Sequence, residues 1–267
     1  MHRKQPLIVW LVLTLCVSVV HAQPLQPDPA WATETAFVVR VFDGDTILLS
    51  NMERIRYIGI DTPEVHPTPE PYAGEASDLN QELVLYQQVK IEYDLDRRDI
   101  HDRLLAYVYV QRDGEWVFVN GELVRQGVAD LLSIPPNTKY RAYFERMQIE
   151  AAADRRGMWK DHRTISVEQA EAHTVEYLGQ MVTVRFRVLD AYDSGRVIFL
   201  NAGEDHRTDF TAVIFAENVP TFREVGIDPI ASYRGRVVEV TGELKRFNGP
   251  EIVLNGPWQI RIIEPNG

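Results

Sequence analysis

The sequence predicts a mainly β protein with helices: a five-stranded barrel of the OB type, followed by a second, smaller OB-like β-barrel. Two observations lead to this expectation. The first half orders as three strand-like runs, a helix, two further strands and two helices, and five strands with a helix after the third suit an OB-type barrel. Beyond about residue 175, five or six short alternating runs follow in under a hundred residues, with few helical stretches. A composition of 45% apolar and 25% charged residues over 267 positions is that of an ordinary globular chain with room for both units.

The chain opens on a segment set apart from the rest. Arg3 and Lys4 precede an apolar run from Leu7 to Val20 that ends at Val20-His21-Ala22. A basic start, a short apolar middle and a small residue at the cut describe a secretory signal over 1–22. The run is short for a bilayer span, so no stable membrane association is expected after cleavage, and the expected location is secreted or periplasmic. A retained anchor is the alternative reading. Cys16 is the only cysteine; cleavage after Ala22 leaves none, which excludes disulfides and a cysteine-based zinc site. Residues 23–35 carry Pro24, Pro27 and Pro29 and read as an extended leader.

The strands come next. Phe37 to Phe42 and Thr46 to Leu49 are strand-like and are separated by Asp43-Gly44-Asp45, a strong turn signal. Arg54 to Ile60 alternates and reads as one third strand. Four prolines make 64–72 a loop. Ala76, Leu79, Leu83 and Tyr86 recur at helical spacing and predict a helix over Ala73 to Gln88. Val89 to Leu95 and Leu104 to Val110 read as strands, Val119 to Gly127 as a short helix and Tyr140 to Arg156 as a longer one. The expected boundary falls between 160 and 175, giving units over 36–163 and 175–267. In the second, Met181 to Leu189, Val197 to Leu200, Phe210 to Phe215, Arg236 to Leu244, Glu251 to Leu254 and Gln259 to Ile263 are the strand candidates, and Asn248-Gly249 marks a hairpin.

A formal net charge of −11 argues against a basic nucleic-acid groove. It is compatible with phosphodiester binding through a divalent cation and a few placed arginines. The acids supply such a set. Asp43 and Asp45 flank the first turn, and Asp61 and Glu64 follow the third strand around Thr62 and Pro63. In a three-strand meander these corners lie side by side and form a hard-oxygen site. No histidine pair stands at zinc spacing. Arg56 and Arg103 add two forks that match phosphate oxygens. Taken singly, each piece has an ordinary reading as a turn, a helix start or a solvated strand arginine.

Together these residues resemble the staphylococcal nuclease (thermonuclease) family. The resemblance rests on Asp43-Gly44-Asp45-Thr46, Arg56-Tyr57-Ile58-Gly59-Ile60-Asp61-Thr62-Pro63-Glu64, Tyr72-Ala73-Gly74-Glu75-Ala76-Ser77, Asp102-Arg103-Leu104-Leu105-Ala106-Tyr107 and Leu123 to Ala129, all in family order over roughly 36–160. It implies that Asp45 and Asp61 are calcium carboxylates, that Thr62 lends its backbone carbonyl and that Asp43 is a nearby acid tuning the site. It further implies that Glu64 is the general base or orients the attacking water, and that Arg56 and Arg103 bind the scissile phosphate. The implied activity is an exported, Ca²⁺-dependent nuclease that hydrolyses DNA and RNA to 3′-phosphate products. The chain departs from the family's type member at Ile100-His101-Asp102, where His101 replaces a substrate-side tyrosine and Asp102 adds charge beside Arg103. It departs again at Leu131-Leu132-Ser133-Ile134, which lacks a base-stacking tyrosine. Phe199, Phe215 and Phe247 are base-stacking candidates in the second barrel, although alternation assigns most of them to a core. The alternative function is a non-catalytic nucleic-acid-binding or envelope interaction protein on a nuclease fold.

Overall fold

The computed structural model describes residues 25–205 and 207–263, so the signal segment expected over 1–22 lies outside it. The first half contains β1 (Glu34–Val41), β2 (Thr46–Leu49), β3 (Arg54–Tyr57), β4 (Gly59–Asp61), α1 (Ala73–Val84), β5 (Gln88–Glu92), β6 (Leu104–Arg112), β7 (Glu115–Phe118), α2 (Val119–Arg125), β8 (Asp130–Leu132) and α3 (Arg141–Ala153). Strands pair in the order β3-β2-β1-β5-β6-β7, and β3 also pairs in parallel with β6. That last pairing closes five strands into a barrel and removes the free edges. The barrel core is built from inward residues such as Val38, Ile47, Ile55, Tyr57, Ile91 and Tyr107, with Val84, Leu123 and Phe144 arriving from the helices.

Three local departures from the sequence expectation shape the site. The third strand is not continuous. It breaks at Ile58, after which Gly59 takes φ +84° and β4 leaves to pair with β8. Only glycine fits there, because a Cβ at 59 would lie 2.3 Å from the Phe144 ring. The helix expected to reach Gln88 stops at Val84. Leu85 turns extended and Tyr86 adopts φ +57°, which frees Gln88 to open β5 against β1. The leader is not simply extended. Asp28 caps a single 3-10 turn at Pro29–Trp31, and Trp31 stacks on Tyr140 with centroids 6.5 Å apart.

The second half contains β9 (Arg163–Ser166), α4 (Val167–Ala172), α5 (Thr174–Tyr177), β10 (Met181–Arg187), β11 (Asp190–Asp193), β12 (Val197–Asn201), β13 (Thr211–Phe215), α6 (Val219–Glu224), α7 (Pro229–Tyr233), β14 (Val237–Glu243), β15 (Lys245–Arg246), β16 (Pro250–Val253) and β17 (Ile260–Ile262). They form two sheets, ordered β17-β14-β10-β9 and β11-β12-β13-β16-β15. A separate apolar cluster fills the space between them, including Val184, Phe186, Leu200, Phe210, Ile214, Phe222 and Val240. The four short helices exceed what the alternation in this region foretold. Two of them announce themselves by caps: Ser166 and Gln169 make a reciprocal capping box, and Asp228 accepts from two backbone amides ahead of Pro229.

The two halves touch. The Thr221 hydroxyl donates to the Ser133 carbonyl at 3.1 Å, Arg141 pairs with Glu224 at 3.3 Å, and Trp258 packs against the first core. Among the described residues no helix is long and apolar enough to cross a membrane.

The Gly59 break is the most demanding backbone feature near the site. Gly59→Ala is expected to cost about 2–4 kcal/mol, from the positive φ and the clash with Phe144 combined. Urea unfolding measures this, and a change within experimental scatter would contradict the assigned constraint.

Candidate active site

Asp45 ends the β1–β2 turn and is buried. Its position is set from several sides. The Asp45 amide donates to the Asp43 carboxylate at 3.0 Å, and the Asn80 amide on α1 donates to the Asp43 carbonyl at 3.0 Å. Gly44 lets the turn approach its neighbours, since a Cβ there would come within 2.7 Å of both Thr62 and Ala76. The Thr62 amide and hydroxyl both donate to the Asp45 carboxylate, at 2.9 and 3.0 Å, and Thr46 donates to its other oxygen at 3.1 Å.

Arg56, on β3, joins the two turns. Its Nη1 lies 2.5 Å from the Asp45 carboxylate, and its Nη2 lies 2.5 Å from that of Asp61. The expectation that Asp45 and Asp61 come together therefore holds, and they meet on a guanidinium. Asp61 ends β4, and the β4–β8 register sets it directly opposite Asp130. Sequence reasoning did not single out Asp130. Burial pushes its carboxyl up to about 6, and the Asp61 charge adds to the rise against the hydrogen bonds from Leu131 and Gln148.

The site holds an excess of negative charge. Burial pushes the Asp45 carboxyl up to about 7, opposed by Arg56 and reinforced by Asp43 and Asp61. Glu64 stands exposed in the loop after β4, which is closed by the Glu70 amide donating to the Glu64 carbonyl and the Glu64 amide donating to the Glu70 carboxylate. Partial desolvation raises its carboxyl too, again with Asp43 and Asp61 adding. Among the described residues no three His, Cys, Asp or Glu groups are gathered as a complete metal cage. Two converging carboxylates with surplus negative charge around them are nonetheless the donor chemistry of a hard cation that keeps carbonyl and water ligands.

Arg103 precedes β6. The parallel register pairs Arg56 with Leu105, so strand alternation carried back two residues puts Arg103 on the same face as Arg56. It does not reach Asp45 or Asp61; its Nε donates to Asp99 at 2.7 Å. Asp99 also accepts from the Arg103 and His101 amides, each at 2.9 Å. The carboxylate beside Arg103 is therefore Asp99, and not Asp102, whose side chain pairs with Arg98. His101 is exposed on this loop.

Further supports escaped sequence reasoning. Buried Asn120 accepts from the Val108 amide and donates to the Ile58 and Ala106 carbonyls, fastening α2 to the strand break. The Tyr57 hydroxyl donates to Asn80 at 2.9 Å. Their signal was present: each is an asparagine within an otherwise apolar helical face, where an amide survives only with partners.

The Asp130 carboxyl supplies a pH test. Its folded value lies above the unfolded one, so its contribution to stability is full below about pH 4 and is lost as pH rises through about 6. Asp130→Asn keeps the acceptor and removes the titration. The variant is expected to be more stable than the parent by about 1–2 kcal/mol at pH 8 and equal to it near pH 4, read by denaturant unfolding across pH.

Comparison with known proteins agrees with the geometry. Residues 54–161 match the family model described as staphylococcal nuclease homologue. The chain is 41% identical over 133 residues to a thermonuclease of Staphylococcus intermedius, and 37% identical over 134 residues to one of Staphylococcus hyicus; each match covers 48% of this chain and 77% of the relative. It is also 40% identical over 128 residues to the SPbeta prophage-derived endonuclease YokF of Bacillus subtilis (strain 168), covering 45% of this chain and 42% of that protein. The barrel closure, the paired turns and these matches together establish that the chain belongs to the staphylococcal nuclease family.

Proposed function

We propose that this member of the family is an exported, calcium-dependent nuclease that hydrolyses DNA and RNA to 3′-phosphate ends. As a nuclease it acts on phosphodiester bonds. The observation that carries the finer reading is the Arg56 guanidinium shared between Asp45 and Asp61, carboxylates delivered by two separate turns. Asp45, Asp61 and the Thr62 carbonyl would hold the cation, with Asp43 adding negative charge beside them. When bound, a calcium ion supplies positive charge that stabilises both carboxylates as anions and polarises a phosphoryl oxygen.

The chain's own groups account for the rest. Glu64 takes a proton from water, or orients it, as the water oxygen bonds to phosphorus and the bond to the 5′ oxygen breaks. Its raised carboxyl makes it a better proton acceptor than an ordinary glutamate. Arg56 and Arg103 place fixed positive charge where the pentacovalent transition state gathers negative charge. Asp99 orients Arg103 without touching substrate, and His101, whose amide also donates to Asp99, would face substrate from the same loop. The unit over 36–163 carries this chemistry, with 23–35 as leader and 175–267 as an OB-like module. The export reading rests on the 1–22 segment.

Arg56→Lys, Arg103→Lys and Glu64→Gln are each expected to lower kcat by about a thousandfold or more while thermal unfolding is retained. Asp99→Asn is expected to cost about tenfold and to raise KM, because it loosens Arg103 without removing its charge. Acid-soluble product from long single-stranded DNA measures all four. Chelation is expected to abolish the activity and added calcium to restore it. Unchanged cleavage in excess chelator would refute the cation requirement, and no cleavage under any divalent cation would favour a non-catalytic binding protein.

A further inference from the structure

The outer face of the β11-β12-β13-β16-β15 sheet runs from the nuclease site into a row of exposed rings. Register establishes the face. Ala191, Leu200, Ala212 and Ile252 form one paired row, and all four belong to the second core. The alternate row is Tyr192, Phe199, Val213 and Val253, which points away from that core; Val213 is covered there, Phe199 and Val253 are half-buried and Tyr192 is exposed. The neighbouring outward pairs are Val197 with Phe215, and Asn201 with Thr211, then Glu251 and Lys245. The expectation that most of Phe199, Phe215 and Phe247 are core is therefore corrected: Phe215 is 41% and Phe247 83% exposed, and Phe199 is half-buried on this face beside Tyr192 at 57%.

Two cavities lie along this face. One, of about 300 Å³, is lined by Asp61 and Thr62 from the nuclease site and by Phe215, Lys245 and Val253 from the sheet. The other, of about 430 Å³, is lined by Tyr192, Phe199, Asn201, Thr211, Glu251 and Phe247. They adjoin, because Val253 and Lys245 of the first pair through the sheet with Val213 and Glu251, the neighbours of Phe199 and Thr211. Leu131-Leu132-Ser133-Ile134 carries no ring beside the site, and Phe215 shares the first cavity with Leu132.

From this we infer that the sheet face is a track for the single-stranded part of the nucleic-acid substrate, with bases stacked on Phe215, Phe199, Tyr192 and Phe247. The inference rests on the nuclease reading and extends it to a substrate form. The Tyr192 and Phe199 rings lie 6.4 Å apart and within 15° of parallel, so they present π faces in the sense that successive bases do. Charge decides how the strand lies. Asp190, Glu204 and Glu251 line the second cavity, while Lys245 sits between Glu70 and Glu243. Phosphates would be repelled there, so the bases face the sheet and their ring N–H or amino groups meet carboxylate, Asn201 and Asn248 oxygens. Duplex bases have no free faces and gain nothing from such a track.

The test separates binding from cleavage. Fluorescence anisotropy in EDTA, with a labelled phosphorothioate oligothymidine of about twenty residues, reads the track without strand scission. Tyr192→Ala and Phe247→Ala are each expected to weaken binding about tenfold, with Tyr192→Phe equal to the parent and the thermal midpoint unchanged in all. Affinity is expected to fall less than about tenfold between 50 and 200 mM salt, because stacking carries it more than phosphate contact. Cleavage of a dinucleotide in calcium by the same variants is expected to match the parent; its loss in the parent would strike the nuclease reading and leave the anisotropy result standing. Equal oligothymidine affinity in the double alanine variant would overturn the track. So would preferential capture of oligolysine by the parent, which would make the ringed acidic face a cation site instead.

Discussion

Everything around the site depends on two carboxylates being held against a single guanidinium. Asp45 and Asp61 come from different turns; Asp45 is buried while the Asp61 side chain is half exposed, so their mutual repulsion is only partly screened. Arg56 offsets it at 2.5 Å on each side. Burial still drives the Asp45 carboxyl up to about 7 against Arg56, and the Asp43 and Asp61 charges add to the rise. A site that concentrates acid beyond what its own arginine neutralises is prepared for an added cation, and that surplus relates the fold to phosphodiester chemistry.

Holding the arrangement requires backbone precision that the barrel alone does not provide. Gly44 brings the first turn under Thr62, and Gly59 sends β4 out of the barrel so that Asp61 swings back toward it. Asn80 and Asn120 then pin those turns from two helices, each using its amide in both directions. These are buried polar groups with complete partnerships, so losing any one would strand another. The architecture explains why the acids and glycines of this stretch act as one unit rather than as separate turn residues.

Much of this was legible in the sequence, and the reasons for the exceptions are physical. Alternation and the Asp-Gly turn located β1, β2 and β6, because half-buried strands write a period of two. Arg54 to Ile60 also alternates, yet the chain breaks inside it; the break is encoded by Gly59 meeting Phe144, a contact 85 positions away that no local pattern contains. The identity of the acids could be read locally, but the partner of Arg103 could not. Asp102 is adjacent in sequence, whereas the turn at 99–103 folds Asp99 back onto the arginine. The rings of the second sheet were misplaced for a related reason. Alternation fixes which residues share a face, and not which of the two faces the core will occupy.

The pairing of Asp61 with Asp130 bears most directly on how the two halves work together. Like charges set opposite each other on neighbouring strands destabilise a ladder, yet β4 and β8 are only three residues long and place these acids at its end. Both line the cavity that also receives Phe215 and Lys245 from the second sheet, and the Asn255 amide reaches the Leu131 carbonyl beside them at 3.4 Å. An isolated nuclease barrel would leave this acidic ladder end facing water. Here residues of the second half line the same cavity, and Glu243 adds to the burial and the Asp61 charge that push the Asp130 carboxyl up. The second half is thus part of the surroundings of Asp61 and Asp130, and removing it would open their shared cavity to water even if it never touched a substrate.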